Sequence, residues 1–193
     1  MNHQADITGV VLAGGQGRRM GGVDKGLVEL AGRSFVSHVL AAIAPQVSQV
    51  MINANRHREV YAALGYPVIA DLIAGSAGPL AGFHAGLRAA STSLVLMAPC
   101  DTPALPGTLV ASLLTILTDH NVDIVYASDH ERDHPTIALL KRDLADDLEQ
   151  YLLGGGRRID QWYARHPHSA CQFDDARAFV NLNTLNDRDA FGR

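Results

Sequence analysis

The chain reads Val10-Val11-Leu12-Ala13-Gly14-Gly15-Gln16-Gly17-Arg18-Arg19-Met20-Gly21-Gly22-Val23-Asp24-Lys25 near its start, where an apolar run breaks into glycines, an arginine pair and a lysine. The apolar run from Ile7 to Leu12 predicts a buried β-strand. The glycines after it leave backbone N–H groups open to an anion. Arg18, Arg19 and Lys25 would neutralise that anion. The segment therefore predicts a strand leading into a phosphate-binding loop, although a tight turn with solvated basic residues fits the same glycines.

Two other phosphate-binding patterns do not fit this loop. A dinucleotide-binding fingerprint needs a third glycine three positions after Gly17, where this chain has Met20. A P-loop needs Gly-Lys followed by Ser or Thr, whereas this segment ends in Asp24-Lys25-Gly26. The density of glycines and basic residues still favours a phosphate site over a plain turn.

Composition limits the class of protein. The chain has 193 residues, of which 47% are hydrophobic and 19% charged, so we expect one globular domain over residues 1–193. The net charge of −4 argues against binding to nucleic acid or a membrane surface and favours a small-molecule partner. The early apolar run is too short for a signal core or a membrane span, so a cytoplasmic location is expected. Cys100 and Cys171 are predicted to be reduced thiols.

Apolar segments of strand length alternate with helical patterns over the first 120 residues. This alternation predicts an α/β fold of three α/β/α layers, with a Rossmann-like, mostly parallel sheet and helices on both faces. The expected strands cover residues 7–12, 49–53, 67–70 and 94–98, and the expected helices cover 34–44, 57–64, 79–90 and 106–119. After residue 120 we expect a small β extension with strands at 123–127 and 136–140, then a helix at 142–153, a strand near 178–182 and a helix from about 186.

Polar residues that follow the predicted strands form one candidate site, because ligands bind outside the carboxyl ends of strands in an open parallel sheet. They are the glycine loop, Asn53, Asp71, Asp101, Asn181 and Asn183. Each taken alone fits a turn or capping role. Asp101 is the strongest candidate, because a carboxylate here can hold Mg²⁺ through one oxygen while phosphates and water complete the coordination. Lys25 and Arg19 would stabilise charge on a phosphate during its transfer.

Several motifs follow one another along nearly the whole chain. They are Leu12-Ala13-Gly14-Gly15, Arg19-Met20-Gly21, Asp24-Lys25-Gly26, Gly78-Pro79-Leu80-Ala81-Gly82, Pro99-Cys100-Asp101-Thr102-Pro103, His134-Pro135-Thr136 and Asn181-Leu182-Asn183-Thr184. Together they resemble the motif set of the molybdenum cofactor guanylyltransferases, which have the nucleotide-diphospho-sugar transferase fold. Cytidylyl relatives tend to carry Leu-Ala-Ala-Gly and Gly-Asp where this chain has Leu12-Ala13-Gly14-Gly15 and Cys100-Asp101, so the resemblance favours guanine.

The resemblance implies a complete reaction: transfer of GMP from GTP to the terminal phosphate of molybdopterin, with Mg²⁺ as cofactor and pyrophosphate as the second product. It implies nucleotide-binding roles for Leu12, Ala13, Gly14, Gly15, Lys25, Asn53, Asp71 and Asp101, with Asp101 also on the metal. It implies substrate-binding roles for Gly22, Gly78, Gly82, Arg157, Asn181 and Asn183. Arg19, Lys25 and Asp101 would be catalytic. Transient contacts with other proteins of molybdenum cofactor biosynthesis and with acceptor molybdoenzymes are also implied.

The expected mechanism is in-line attack by a substrate phosphate oxygen on the α-phosphorus of GTP. Two anions must meet, so charge neutralisation is the main requirement. A general base is unnecessary, because a phosphate monoester is already largely ionised near neutral pH. His134 fits either a substrate contact or a hydrogen-bonded loop position.

Four rival functions fit parts of the sequence. A hydrolase is suggested by Ala74-Gly75-Ser76-Ala77-Gly78, which is close to a nucleophile elbow, but Ser76 does not directly follow a predicted strand. A nucleotide-binding adaptor without activity would not need both Lys25 and Asp101. A sugar-phosphate nucleotidyltransferase, or a molybdopterin cytidylyltransferase, would share the nucleotide site and differ in the base or the acceptor.

Overall fold

A computed structural model describes residues 6–13, 24–73 and 78–181. Its strands are β1 (Ile7–Leu12), β2 (Glu29–Leu30), β3 (Arg33–Ser34), β4 (Gln49–Asn53), β5 (Val68–Ile69), β6 (Leu94–Pro99), β7 (Ile124–Ser128), β8 (Asp133–Lys141) and β9 (His168–Gln172). Its helices are α1 (Phe35–Ile43), α2 (Arg58–Ala62), α3 (Pro79–Ala89), α4 (Leu109–Asp119), α5 (Ala145–Leu153) and α6 (Ile159–Tyr163). Short 3₁₀ turns cover Lys25–Leu27, Ala44–Gln46, Arg142–Leu144 and Ala176–Phe179.

Seven strands form one sheet in the order β5-β4-β1-β6-β8-β7-β9. The first four in this order run parallel to one another. Strand β8 is antiparallel to both β6 and β7, and β9 is parallel to β7. The carboxyl ends of β1, β4 and β6 therefore lie side by side, together with the beginning of β8. We call this row of strand ends the carboxyl edge of the sheet. Strands β2 and β3 form a separate hairpin.

Side chains of the central strands alternate between two apolar layers, as the period of two in a strand requires. Ile7 and Val11 belong to the layer that also holds the buried residues of α1 and α4. Val10, between them, belongs to the layer built with α3, α5 and α6. Both faces of the sheet are thus covered by helices, and the expected three-layer α/β/α fold is confirmed.

The predicted elements agree best where strands are buried on both faces. Strands β1 and β4 have the predicted bounds, and β6 extends one residue further. Helix α4 begins at Leu109 rather than at 106, after a turn in which the Leu109 N–H donates to the Pro106 carbonyl. Helix α2 is shorter than expected, because His57 before it has a left-handed φ of 49° and Gly65 after it has a φ of 85°.

The end of the chain differs from the prediction. The prediction of a strand near 178–182 is wrong, because residues Ala176–Phe179 form a 3₁₀ turn. The Asp175 carboxylate caps the start of this turn by accepting a hydrogen bond from the Arg177 N–H. Within the described residues the last strand is β9, and neither β9 nor helix α6 was predicted. The β extension after residue 120 is confirmed as a hairpin, and it continues the main sheet rather than standing apart from it. The helix expected from about residue 186 lies outside the described residues.

Within the residues that the structure describes, helices are too short or too polar to cross a membrane.

Candidate nucleotide site

Backbone hydrogen bonds hold the carboxyl ends of the three central strands side by side. The Ala13 N–H donates to the Asn53 carbonyl at 2.8 Å, and the Cys100 N–H donates to the Leu12 carbonyl at 3.1 Å. These bonds continue the ladder one residue beyond the strands. Burial, and next the negative charge of Asp101, raise the pKa of the Cys100 thiol, so this thiol stays protonated beside the edge. The predicted residues Leu12, Ala13, Asn53 and Asp101 are thereby brought to one place.

Asn53 and Asp71 are directly linked. The Asn53 Nδ2 donates to Asp71 Oδ1 at 3.0 Å, and the Asn55 Nδ2 donates to Asp71 Oδ2 at 2.7 Å. The Asp71 N–H donates in turn to Asn55 Oδ1 at 2.9 Å. Two amides therefore fix the orientation of the Asp71 carboxylate at the end of β4. Asn55 was not predicted as a site residue, although a second polar amide two positions after a strand end was a visible signal.

Gly82 gives the Asn53 amide the space it occupies. A Cβ at Gly82 would lie 2.5 Å from Asn53 Oδ1 and 2.8 Å from a side-chain carbon of Leu12. Real Cβ atoms do not approach other atoms so closely, so any side chain here would displace Asn53 or α3. The structure therefore gives Gly82 a space-making role beside the site. The substrate contact implied for Gly82 stays a prediction.

Lys25 and Asp101 form an ion pair at the same edge. The Lys25 Nζ lies 3.4 Å from Asp101 Oδ2, and the two side chains are 28% and 15% exposed. A partly exposed pair at this distance adds little stability. Both charged groups are near the surface, where a cation and a carboxylate can face a phosphorylated ligand and its metal. The pair joins residues that are 76 positions apart in the sequence.

Asn181 lies next to the residue that follows Asp101. The buried Thr102 hydroxyl donates to Asn181 Oδ1 at 2.8 Å. This bond joins the last described residue to the loop after β6. Asn181 therefore lies beside the loop that carries Asp101, and Thr102 holds it there. The substrate-binding role expected for Asn181 stays a prediction.

Arg157 makes its side-chain hydrogen bonds elsewhere. Its Nη1 donates to the Leu152 carbonyl at 2.8 Å and to the Gly156 carbonyl at 2.6 Å, so the guanidinium caps the carboxyl end of α5. Gly78 stands just before α3 with a φ of 69°, a conformation that favours glycine. The substrate-binding roles expected for both residues stay predictions. Gly14, Gly15, Arg19, Gly22, Ser76 and Asn183 lie outside the described residues.

His134 is a hydrogen-bonded residue beside the turn that joins β7 and β8. Its Nε2 lies 2.7 Å from Asp129 Oδ2, and its ring stacks on Phe179 with centroids 4.9 Å apart. Asp129 Oδ1 also accepts from the N–H groups of Glu131 and Arg132, at 2.7 and 2.9 Å. The histidine thus stabilises the turn of the hairpin at the edge of the sheet where Asp101 lies. Of the two roles predicted for His134, these contacts fit the hydrogen-bonded loop position.

The Asp129 contacts predict how stability depends on pH. Burial alone would raise the pKa of Asp129, but the hydrogen bonds from His134 and from the turn N–H groups lower it to about 2. The folded-state pKa is below that of an unfolded chain, about 3.9. The stabilisation is therefore present above pH 4 and is lost as the pH falls towards 2. In urea unfolding between pH 6 and 2, the free energy of unfolding of wild type should fall more steeply than that of Asp129→Asn, and parallel curves would contradict the prediction.

Comparison with known proteins shows the family to which this chain belongs. A family model described as the MobA-like NTP transferase domain matches residues 9–169. The chain belongs to the MobA-like NTP transferase family. It is 47% identical to a molybdenum cofactor guanylyltransferase of Ralstonia nicotianae over 190 residues, covering 94% of this chain and 93% of that protein. It is 45% identical to one of Shewanella sediminis, covering 92% and 91%.

Solved structures agree with the membership in the MobA-like NTP transferase family. The molybdopterin-guanine dinucleotide biosynthesis protein A of Archaeoglobus fulgidus matches with a TM-score of 0.77 and 25% identity, covering 96% of each chain. A 4-diphosphocytidyl-2C-methyl-D-erythritol synthase of Anaerococcus prevotii matches with a TM-score of 0.72 at 15% identity, which shows a shared fold. A shared fold does not fix the reaction, so the reaction has to be argued from the residues of the site.

The donor set of this MobA-like chain fits a magnesium ion held largely by its substrate. No group of three His, Cys, Asp or Glu side chains that could hold a metal occurs in ranges 6–13, 24–73 and 78–181. Magnesium in nucleotide sites is commonly bound through one or two carboxylates, with phosphates and water supplying the other oxygens. Asp101, partly exposed at the edge of the sheet, offers such a carboxylate.

Proposed function

We propose that this chain transfers GMP from GTP to the terminal phosphate of molybdopterin, forming the guanine dinucleotide form of the cofactor and releasing pyrophosphate. The observation that carries the proposal is the pairing of Lys25 with Asp101, 3.4 Å apart, at the carboxyl edge of the parallel strands. Ligands of open α/β sheets bind at this edge. Relatives with 42–47% identity named molybdenum cofactor guanylyltransferase support the choice of reaction.

The proposed step is an in-line displacement at phosphorus. An oxygen of the acceptor phosphate forms a bond to the α-phosphorus of GTP while the bond from that phosphorus to the bridging oxygen of the β-phosphate breaks. Pyrophosphate leaves with the electron pair of the broken bond. The acceptor is already an anion, so this transfer places few demands on acid–base groups and large demands on electrostatics.

Charge neutralisation is assigned to Lys25 and Asp101. Lys25 would place its ammonium against phosphate oxygens and stabilise the negative charge that grows on the leaving pyrophosphate. Asp101 would hold Mg²⁺. When bound, that ion would draw charge from the phosphates and orient them. Arg19 is proposed as a further donor to the triphosphate.

Recognition of the nucleoside is assigned to the Asn53–Asp71 pair. The Asp71 carboxylate is already oriented by the Asn53 and Asn55 amides, so it can accept further hydrogen bonds without losing side-chain freedom on binding. Gly14 and Gly15 are proposed to contact the nucleotide through their backbone, and Asn181 and Asn183 are proposed to face the acceptor.

The first experiment is calorimetric titration of GTP and CTP into the wild-type chain with Mg²⁺. GTP should bind at least about tenfold more tightly than CTP, since a site that hydrogen-bonds one base rejects another strongly. Pyrophosphate release should then require both GTP and molybdopterin. Preference for CTP, or release with a sugar phosphate and not with molybdopterin, would favour the corresponding nucleotidyltransferase, and binding without release would favour an adaptor.

A further inference from the structure

Asp24, the residue before Lys25, is held by contacts from helix α2, from the residue that caps this helix, and from its own turn. The Tyr61 hydroxyl of α2 donates to Asp24 Oδ1 at 2.6 Å, and the His57 Nδ1 lies 3.0 Å from Asp24 Oδ2. The Gly26 N–H also donates to Asp24 Oδ1, at 3.2 Å. The Asp24 side chain is only 9% exposed. A carboxylate with these contacts cannot move without breaking a charge-assisted hydrogen bond in a buried position.

Tyr61 is a rigid donor for this carboxylate. Its side chain is fully buried in the apolar layer below α1 and α4. Burial, and next its hydrogen bond to Asp24, raise the pKa of the Tyr61 hydroxyl, so the group stays protonated and donates. The ring is fixed by packing and the hydroxyl by its acceptor, so the position of Asp24 is tied to the core.

Gly26 completes the arrangement on the other side of Lys25. A Cβ at this position would overlap the Tyr61 hydroxyl oxygen. The glycine therefore leaves room for tyrosine to reach Asp24, and Asp24-Lys25-Gly26 acquires a physical explanation. Asp24 accepts the hydrogen bond from Tyr61, and Gly26 leaves space for the tyrosine ring. Lys25, between them, begins the 3₁₀ turn and reaches Asp101.

We propose that Tyr61 is a positioning residue that acts through Asp24 to hold the Lys25 amine at Asp101, where it meets the phosphates of the nucleotide. Tyr61 lies 36 positions after Lys25 and belongs to the core, so its effect on the ligand passes through the Asp24 hydrogen bond. The part of the proposal that concerns phosphates rests on the proposed function, whereas the placement of the Lys25 amine does not.

The first test needs no nucleotide. The sequence contains two lysines, Lys25 and Lys141, and each is paired with an aspartate, at 3.4 Å to Asp101 and 2.7 Å to Asp123. Brief treatment with acetic anhydride, followed by peptide mass spectrometry, gives the acetylation rate of Lys25 relative to Lys141 in one sample. Tyr61→Phe should change this ratio about threefold or more, because a charge-assisted hydrogen bond is lost at the residue next to Lys25.

The matched control is Tyr66→Phe, which removes the same atom from a partly buried tyrosine that contributes no contact to Asp24. Its labelling ratio should equal that of wild type. An unchanged ratio in Tyr61→Phe, or an equal change in both variants, would overturn the proposal. If Tyr61→Phe does not fold, as judged by thermal unfolding, Gly26→Ala is measured instead. Its Cβ would overlap the Tyr61 hydroxyl and displace it from Asp24 with every charge kept, so its ratio should also differ from wild type, and an unchanged ratio would again overturn the proposal.

The second test is a double-mutant cycle on GTP affinity with Mg²⁺. Tyr61→Phe should weaken binding about tenfold when Lys25 is present, and less than about twofold in the Lys25→Ala background. Equal losses in both backgrounds would show that tyrosine supports the fold without acting through lysine, and would overturn the proposal. If wild type binds no GTP, the proposed function fails, and the labelling ratio alone decides whether Tyr61 places the lysine.

Discussion

Replacing Asp101 by asparagine is expected to lower the rate of guanylyl transfer by about 10³-fold or more while leaving the fold intact. Asparagine has nearly the same volume, so the loop after β6 keeps its packing. It loses the negative charge through which Asp101 would hold Mg²⁺ against the phosphates. Removing one preorganised electrostatic group from an active site typically costs about 10²–10³ in rate, and losing a metal with it adds to this. The Lys25–Asp101 pair is partly exposed, so its loss should change the free energy of unfolding by less than about 1 kcal/mol.

Asp123→Asn is the matched control for this prediction. Asp123 pairs with Lys141 at 2.7 Å, so the control also breaks an aspartate–lysine pair, and it does so beside the first residue of β7, at the opposite edge of the sheet. Its rate of transfer should equal that of wild type. The rates are compared by pyrophosphate release at several Mg²⁺ concentrations. Full activity in Asp101→Asn with an unchanged Mg²⁺ requirement would refute the assignment of the metal to this carboxylate.

The parallel half of the fold could be predicted from the sequence for a physical reason. Strands β1, β4 and β6 are covered by helices on both faces, so each appears as a continuous apolar run that ends where the polar edge begins. Residues at those ends must lie together, and the backbone hydrogen bonds from Ala13 to Asn53 and from Cys100 to Leu12 show that they do. The rule that locates ligands at this edge needs only the order of the strands.

The remaining elements have no comparable signal. Strand β9 is an edge strand in which Cys171 alone is fully buried, so its apolar pattern is too weak to predict it. The segment Ala176–Phe179 is a 3₁₀ turn whose apolar residues pack against the sheet. Over so short a length, the spacing of these apolar residues resembles that of a strand. Helix α6 has five residues, which are too few for a helical repeat of apolar residues to be recognised in the sequence.

Tyr61 and Thr102 show a different limit. Both side chains are fully buried, and neither was assigned a role from the sequence. What matters is the direction of one hydroxyl group, towards Asp24 in the first case and towards Asn181 in the second. That direction depends on how α2 and the end of the chain dock against the sheet, and no local pattern encodes it.

Lys25→Ala is expected to lower kcat/KM for GTP by about 10²–10³-fold, in line with the loss of one donor aimed at developing charge. Part of the loss should appear as weaker GTP binding and part as a lower kcat, because the ammonium would contact phosphate oxygens before transfer and more charge develops on the leaving group during it. Arginine should restore only part of the activity, since a planar guanidinium presents its donors in a different geometry from a compact ammonium.

Lys141→Ala is the control for this second prediction, because it removes the other lysine of the chain from its own aspartate partner. The salt dependence of GTP binding provides a further test. A point charge that attracts an anion is screened by added salt, so GTP affinity should fall less steeply with ionic strength in Lys25→Ala than in wild type. The same slope in both proteins, together with a kcat/KM within about twofold of wild type, would place the phosphates away from Lys25. The Lys25–Asp101 pair would then be a surface contact beside the site, and the positive charge for the triphosphate would have to come from Arg18 and Arg19.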